Sequence, residues 1–321
     1  MTAAVTPPAR REELPVPSGW FAVAHSHELA AGEVLNVHYF GQDLVVFRTE
    51  SGGAAVFDAF CPHLGAHLGV GGRVEGETLR CPFHGWGFDT SGACAEIPYS
   101  KRIPPGVRAG SRPVVERNGF IFVWWDTAGR EPWYEVPLVP EHASGDWSSP
   151  DRYEWKISAH SQELAENGVD QAHFQFVHGT LAVPNAESTE DGHVRRTFAP
   201  IEMKTPRGEV NGGIETHMYG MGFATVRFTG IAETLEFTAT TPIDAGHAHV
   251  RYNFIQPKVD GKDPEGGVAA ALIRDIVKQM NEDVPIWENK RYLSRPTLCD
   301  GDGPIADFRR WCEQFYPDPA A

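Results

Sequence analysis

The sequence predicts an α+β protein of two domains, in which an all-β domain precedes a domain built from an antiparallel sheet and helices. Up to about residue 125, short apolar runs alternate with glycine-rich turns, a pattern typical of a small antiparallel β domain. Apolar and polar residues alternate again near residues 250–254, and an apolar helical stripe covers about residues 265–282. We therefore expect a long helix to cover the sheet of the second domain.

The expected elements follow from the same patterns. Residues 1–17 are rich in proline and are expected to form a flexible arm, followed by a first domain at 18–130 and a second at 131–321. Strands are predicted at 44–47, 54–57, 114–115 and 120–125, and turns at 51–53, 211–213 and 244–246.

The composition limits the possible partners and the compartment. At 321 residues and 41% hydrophobic content, the chain is long enough for two packed cores. A formal net charge of -15 disfavours nucleic acid and anionic membranes as partners. Neither a signal peptide nor a long apolar run is recognisable, and five cysteines do not suggest a disulfide framework. We expect a cytoplasmic protein with reduced thiols.

Two short cysteine-histidine pairs form the strongest motif of the chain. Cys61 and His63 are separated by one residue, Cys81 and His84 by two, and seventeen residues lie between the pairs. Replacing two thiolates of a ferredoxin cluster by imidazoles on one iron gives a Rieske 2Fe-2S centre. In this interpretation Cys61 and Cys81 bind one iron, while His63 and His84 bind the other. We expect His67 to be satisfied within its own loop instead.

A structural zinc site built from the same four side chains is the alternative, because zinc accepts tetrahedral sulfur and nitrogen ligands. Zinc fingers usually group two cysteines and then two histidines, whereas each pair here contains one of each. Each cysteine is also followed by a proline, and small residues near the histidines allow backbone amides to approach a sulfide. These features favour the Rieske centre.

A second candidate site lies in residues 166–178. Asp170 and His173 are three residues apart and share a helical face, whereas His178 lies about 140° farther round an ideal helix. Both histidines can share a metal only if the helix is distorted or ends nearby, and Gly179 is consistent with an end. Two histidines with a carboxylate form the ligand set of non-haem iron oxygenases, although an ordinary pair of helix histidines has the same spacing.

Taken together, the two motifs resemble those of the oxygenase component of Rieske non-haem iron oxygenases. That family carries the same cysteine-histidine pairs, followed by Glu-Asn-x2-Asp-x2-His-x4-His, and the resemblance covers roughly residues 18–125 and 155–180. The resemblance implies a helix-grip (START-like) catalytic domain, in which a twisted antiparallel sheet grips helices.

The resemblance also implies roles for individual residues. His173 and His178 match the histidines that bind the mononuclear iron, and Asp170 matches the carboxylate that bridges the two metal centres. Asn167 is expected just behind the iron ligands. In this family the electron crosses from the cluster of one subunit to the iron of its neighbour, which implies a ring and most often a homotrimer. No flavin or nicotinamide module is recognisable, so electrons from NAD(P)H should arrive through a separate ferredoxin reductase, with or without a ferredoxin, and O2 should be the co-substrate.

The third iron ligand has to come from elsewhere in the chain, and Asp300, Asp302 and Asp307 are the candidates. We predict Asp302, because it precedes Gly303-Pro304 at the entrance of a helix expected through residues 305–315. Asp300 lies in a glycine-flanked stretch. Asp307 falls in the first helical turn, where a carboxylate ordinarily complements the helix dipole.

Residues 283–290, 302–304 and 309–316 resemble the steroid-hydroxylating branch of the family, the 3-ketosteroid 9α-hydroxylase oxygenases and cholesterol 7-desaturases. The resemblance implies that Asp302 matches the iron aspartate of that branch. It also implies monohydroxylation of a bulky apolar substrate, a steroid, another polycyclic compound or a terpenoid. Aromatic-ring dioxygenation, desaturation or demethylation, and a plain Rieske electron carrier, remain alternatives. The side chains that could line the pocket, or equally pack in the core, are Phe174, Phe176, Met218, Met221 and Phe223.

Overall fold

The computed structural model describes residues 14–179, 186–205, 208–230 and 232–317, apart from the side chains of residues 202–209. Within these ranges, small sheets form the first part of the chain, and a seven-stranded sheet with helices forms the second. The predicted α+β class, with an all-β domain ahead of an antiparallel sheet and helices, is therefore confirmed.

The first domain contains three antiparallel sheets, with strand orders β1-β11-β10, β2-β3-β4-β9 and β5-β6-β7-β8. All four strands predicted for this domain are confirmed. Its strands are β1 (Gly19–His25), β2 (Val34–Tyr39), β3 (Gln42–Arg48), β4 (Ala54–Asp58), β5 (Arg73–Glu75), β6 (Thr78–Arg80), β7 (Gly87–Asp89), β8 (Cys94–Glu96), β9 (Ser111–Arg112), β10 (Val114–Arg117) and β11 (Phe120–Trp125).

The second domain is built on the sheet β12-β18-β17-β16-β15-β14-β13. Every neighbouring pair in this sheet is antiparallel. Its strands are β12 (Asp151–Ile157), β13 (Glu187–Asp191), β14 (Val194–Thr205), β15 (Gly208–Tyr219), β16 (Phe223–Thr229), β17 (Thr234–Asp244) and β18 (His247–Ile255). The α-helices are α1 (Pro140–Ala143), α2 (Ser161–Glu166), α3 (Ala172–Phe176), α4 (Gly267–Asn289) and α5 (Ile305–Cys312).

The turn predicted at residues 211–213 is wrong, because these residues lie inside β15. Gly213 pairs with Pro200 on one side and Thr229 on the other, so the chain continues straight through both ladders. A Cβ at Gly213 would lie 2.6 Å from the ring of Phe198. Gly213 therefore accommodates the ring of Phe198 and does not form a turn. The turn predicted at 244–246 is confirmed between β17 and β18.

Helix α4 extends seven residues beyond the predicted end at residue 282. Pro285 lies inside it, and a proline ordinarily interrupts a helix because it lacks an N–H donor. Here the last turn is anchored, since Trp287 is buried against the sheet together with Met280. The Asn289 side chain also donates a hydrogen bond to the Pro285 carbonyl at 2.8 Å. Burial of its apolar face thus stabilises α4 beyond Pro285.

One apolar core joins the two domains. Phe122 of β11 meets Phe223 of β16 edge to face at 5.5 Å, and the Thr241 hydroxyl of β17 donates to the Ala22 carbonyl of β1 at 2.6 Å. The end of the predicted arm contacts the second domain, where the Pro15 carbonyl accepts a hydrogen bond from His160 at 3.1 Å. Residues 1–13 of that arm lie outside the described residues. None of the described helices is both long and apolar enough to cross a membrane.

Candidate metal centres

The structure brings together the two cysteine-histidine pairs predicted to hold the cluster. Cys61 and His63 lie in the loop after β4, and Cys81 and His84 lie in the turn between β6 and β7. Both thiols are buried, and Cys81 is near enough to Cys61 to affect its pKa. The imidazole centroids of His63 and His84 are 4.7 Å apart. Two sulfurs and two rings thus converge between two neighbouring loops.

The two loops are built alike. Gly65 donates its N–H to the Cys61 carbonyl at 2.9 Å, and Gly85 donates to the Cys81 carbonyl at 3.0 Å. Both glycines have a positive φ, of 74° and 72°, which other residues rarely adopt. Each cysteine is therefore followed by the same tight turn four residues later, which points the intervening histidine back towards the thiols.

The chemistry of these donors fits a Rieske cluster. Burial raises the pKa of Cys61 to about 11, and the neighbouring Cys81 adds to this rise. The backbone N–H groups of His63 and Leu64 approach the Cys61 sulfur and oppose the shift, as donors to a thiolate would. Nδ1 of His84 is buried and has no hydrogen-bond partner in the described structure. A cluster would replace the thiol protons and satisfy that nitrogen.

Aromatic packing orients one of the histidines. The His63 ring stacks on Trp86 at 4.3 Å with an interplanar angle of 10°, and the Trp86 indole N–H donates to the Tyr99 hydroxyl at 2.8 Å. His67 instead accepts a hydrogen bond from the Gly69 N–H at 3.2 Å. This contact is consistent with its predicted role within the loop.

The second site joins α3 to α4. His173 lies on α3, His178 lies two residues beyond the end of that helix, and Asp283 lies on α4. One ligand atom from each of these residues lies within 4.8 Å of the others. Because the helix ends at Phe176, the angular separation that an ideal helix would impose on the two histidines does not apply. Their side chains are 9%, 2% and 8% exposed, respectively.

The structure places Asp283, and not the predicted Asp302, beside the two histidines. The Asp302 carboxylate accepts hydrogen bonds from the Cys299 backbone N–H at 2.7 Å and from its thiol at 3.3 Å, so it closes a local turn ahead of α5. The other two candidates, Asp300 and Asp307, line an open groove of about 1070 Å³. Sequence reasoning missed Asp283 because the third ligand was sought only among Asp300, Asp302 and Asp307.

Hydrogen bonds fix both imidazoles. Nδ1–H of His173 donates to the Asp170 carbonyl at 2.6 Å, which leaves its Nε2 buried and without a partner in the described structure. Nδ1 of His178 lies 3.1 Å from the Glu282 carboxylate, while its Nε2 lies 3.3 Å from Asp283. Backbone and carboxylate acceptors of this kind select the tautomer and the orientation of metal-binding histidines.

Carboxylates around this site have perturbed acidities. Burial raises the pKa of Asp283, although His178 and His173 oppose the shift. The Asn167 side chain donates a hydrogen bond to Asp283 at 3.1 Å. Burial acts to raise the pKa of Asp170 too, but hydrogen bonds from His173 and Ala172 hold that pKa below its ordinary value.

The predicted pocket side chains lie in different environments. Phe174 packs beside His173 and His178, with ring centroids 4.3 Å and 5.9 Å away. Phe176 is 82% exposed. The other three, Met218, Met221 and Phe223, are buried in the core shared by the two domains, so packing accounts for them and we do not assign them to substrate.

Comparisons with known proteins agree with this arrangement. The Rieske [2Fe-2S] domain family matches residues 19–108, and the family of the 3-ketosteroid 9alpha-hydroxylase C-terminal domain matches residues 123–316. The chain is 35% identical to cholesterol 7-desaturase nvd of Bombyx mori over 326 residues, which cover 95% of this chain and 70% of that protein. It is 31% identical to an oxygenase component of 3-ketosteroid-9-alpha-monooxygenase from Rhodococcus rhodochrous over 320 residues, covering 94% and 83%.

Solved structures share the fold. The crystal structure of dicamba monooxygenase bound to dicamba superposes with a TM-score of 0.74 at 19% identity, over 92% of this chain and 96% of that one. The C-terminal family spans more than half of the chain, and the relatives align along nearly all of it. The chain therefore belongs to the Rieske non-haem iron oxygenases, in the group with a C-terminal domain of the 3-ketosteroid 9α-hydroxylase type, and it is an oxidoreductase.

Proposed function

We propose that this chain is the terminal oxygenase component of a multicomponent system that hydroxylates a bulky apolar substrate of the steroid type. In this proposal, O2 is the co-substrate, and a separate reductase delivers electrons from NAD(P)H. The observation that carries the proposal is the convergence of His173, His178 and Asp283 in a protein that also has a Rieske domain. The relatives named for cholesterol desaturation and for 3-ketosteroid hydroxylation support the substrate class.

The donor set fits a mononuclear iron. His173 offers a buried nitrogen that has no other partner among the described residues, and Asp283 offers a buried carboxylate held by Asn167. Two histidines and one carboxylate leave coordination positions open on iron. When bound, the iron supplies the site for O2, and the Rieske cluster supplies an electron.

The protein's own part is to orient these groups. Asp170 fixes His173 through its backbone carbonyl, while its side chain is 37% exposed. A carboxylate in that position can accept a hydrogen bond from a cluster histidine of a second copy and still position the iron ligand behind it. We therefore propose Asp170 as the bridge between subunits.

The surface around the cluster supports a ring of copies. Leu64, Phe83 and Tyr99 lie in or beside the cluster loops, and their large apolar side chains are exposed. Apolar side chains concentrated at one end of a domain are typical of a contact surface. We propose a homotrimer in which this end of one subunit packs beside Asp170 of the next.

The test is turnover with a surrogate ferredoxin reductase, NADH and a panel of steroids under 18O2. Hydroxylation replaces one C–H bond by C–OH, places one oxygen atom of O2 in the product and the other in water, and consumes two electrons and two protons. We expect an alcohol labelled with a single 18O and no product from Asp283→Asn. An unlabelled alkene would indicate desaturation, and turnover of no steroid by the wild type would refute the substrate class.

A further inference from the structure

Glu236 is a buried acid that neither metal centre uses. It is the third residue of β17 and is 3% exposed. Across the described ranges, it forms no hydrogen bond and no ion pair, and burial alone raises its pKa to about 8. Burying a carboxyl group without a partner costs free energy, so its presence calls for a ligand or a function.

The register of the sheet shows which way this side chain points. Glu236 is paired with Val226 of β16 and with Phe254 of β18. Its neighbours Leu235 and Phe237 belong to the core between the two domains. Since side chains alternate along a strand, Glu236 projects from the opposite face, which is the face that α4 covers.

Helix α4 covers only part of that face. Met280 and Trp287 of α4 form one buried apolar cluster with Val250 of β18. Tyr252 of the same strand is partly buried against this cluster. Farther across the sheet, several apolar side chains on this face are only half-buried. We call this surface the α4 trough. It consists of Ile214, Val226 and Phe228.

The trough lies on the side of the sheet that α4 covers. Burial raises the pKa of Tyr252, and the charges of Glu236 and Asp283 raise it further. Tyr252 is paired with Thr238, two residues beyond Glu236 on β17. Its hydroxyl group donates to the Met280 sulfur at 3.4 Å, and Met280 lies about one helical turn before Asp283 on α4. A flat apolar molecule held in the trough would therefore lie on the same side of the sheet as Asp283, with one end near Glu236.

A second polar group without a partner lies next to Glu236. The hydroxyl oxygen of Thr238 is buried and forms no hydrogen bond in the described part of the chain. Thr238 follows Glu236 by two residues and projects from the same face. Two polar groups without a partner thus lie on the face that carries the half-buried apolar side chains of the trough, an arrangement that can fix the orientation of an apolar ligand with one polar end.

We propose that the Glu236 carboxyl group is the polar anchor of the substrate site, donating a hydrogen bond to one ketone or hydroxyl oxygen of a polycyclic substrate whose rings occupy the α4 trough. This inference rests on the proposed function and deepens it. An acid held protonated by an apolar site can donate a hydrogen bond at neutral pH, which an ionised glutamate cannot. Thr238 supplies a second hydroxyl for the same oxygen.

The test measures binding to the holoprotein with three steroids that share one ring skeleton and carry a ketone, a hydroxyl group or only hydrogen at C3. Dissociation constants come from quenching of tryptophan fluorescence. Glu236→Gln keeps a donor and an acceptor, Glu236→Met replaces both by an apolar chain of similar length, and Glu233→Gln is the control. Glu233 is exposed and pairs with Arg227, so its variant removes a nearby charge outside the trough.

We expect the wild type to bind the two oxygenated steroids about 10-fold more tightly than the deoxy steroid, as one hydrogen bond to a buried acid allows. Glu236→Met should abolish this ratio, while Glu236→Gln and Glu233→Gln should retain it. If Glu236→Met leaves the ratio of the dissociation constants unchanged, even with weaker binding of all three steroids, Glu236 is not the polar anchor. The proposal of a steroid substrate would not be affected by that result. Failure of the wild type to bind any of the three would overturn both.

Discussion

The unpaired acid on β17 predicts an unusual dependence of stability on pH. Burial raises the pKa of Glu236 from 4.5 to about 8 in the folded protein. Between these two values the folded chain retains a proton that the unfolded chain releases, so this group lowers stability as the pH rises. The difference of about 3.5 units, at 1.36 kcal/mol per unit, gives roughly 5 kcal/mol as an upper limit at pH 8 and above. At pH 4 and below, both states are protonated and the effect vanishes.

Glu236→Gln removes this titration and leaves the other ionisable groups in place. We expect the variant to exceed the wild type in free energy of unfolding by an amount that grows from pH 5 to pH 8 and approaches several kcal/mol. Urea unfolding of the metal-loaded proteins, followed by tryptophan fluorescence, measures the difference at each pH. Glu233→Gln should show no such trend. A Glu236→Gln difference that stays constant from pH 5 to pH 8 would mean that the acid is ionised in the fold, and would refute the reasoning.

Three further predictions concern the metal centres. Asn167→Ala should weaken iron binding by about 10- to 100-fold, because Asp283 loses the donor that holds it; iron competition with a chelator checks this, and unchanged affinity would contradict it. Asp170→Asn should retain both metals by spectroscopy and iron analysis but lose most NADH-coupled turnover, and turnover at the wild-type rate would argue against the bridge. Cys81→Ser lacks a cluster ligand and Asp283→Asn lacks a ligand of the mononuclear iron, so coexpression of the two variants should give mixed oligomers with partial activity, in which the cluster of one subunit serves the iron of its neighbour. Inactive mixed oligomers would mean that electrons stay within one subunit.

The sequence was sufficient for the parts of the sites that are local in the chain. Each cysteine-histidine pair lies in one short loop, and His173 and His178 are only five residues apart, so spacing predicted which side chains lie together. The metal-binding role of the two histidines came from the family resemblance. Asp283 is different because it reaches these histidines only through the packing of α4 on the sheet. The expected helix stopped one residue short of it, because the apolar stripe that predicted the helix was followed only to about residue 282. The signal was present, because Asp283 begins the segment that resembles the steroid branch.

Features that depend on pairing across the sheet were harder to predict. The glycines at 212 and 213 have the composition of a turn, yet strands on both sides keep them extended. Nothing in the residues around Glu236 distinguishes it from an exposed glutamate on a strand. Glu236 lies between β16 and β18, and only the assembled fold shows that it is buried.

Iron bound per chain tests the central claim most directly. Wild type, Asp283→Asn and Asp302→Asn are reconstituted anaerobically with iron and sulfide, and iron and acid-labile sulfide are counted. We expect the wild type and Asp302→Asn to hold one more iron than the cluster accounts for, and Asp283→Asn to hold the cluster iron alone. Loss of the additional iron from Asp302→Asn but not from Asp283→Asn would contradict the proposed iron site.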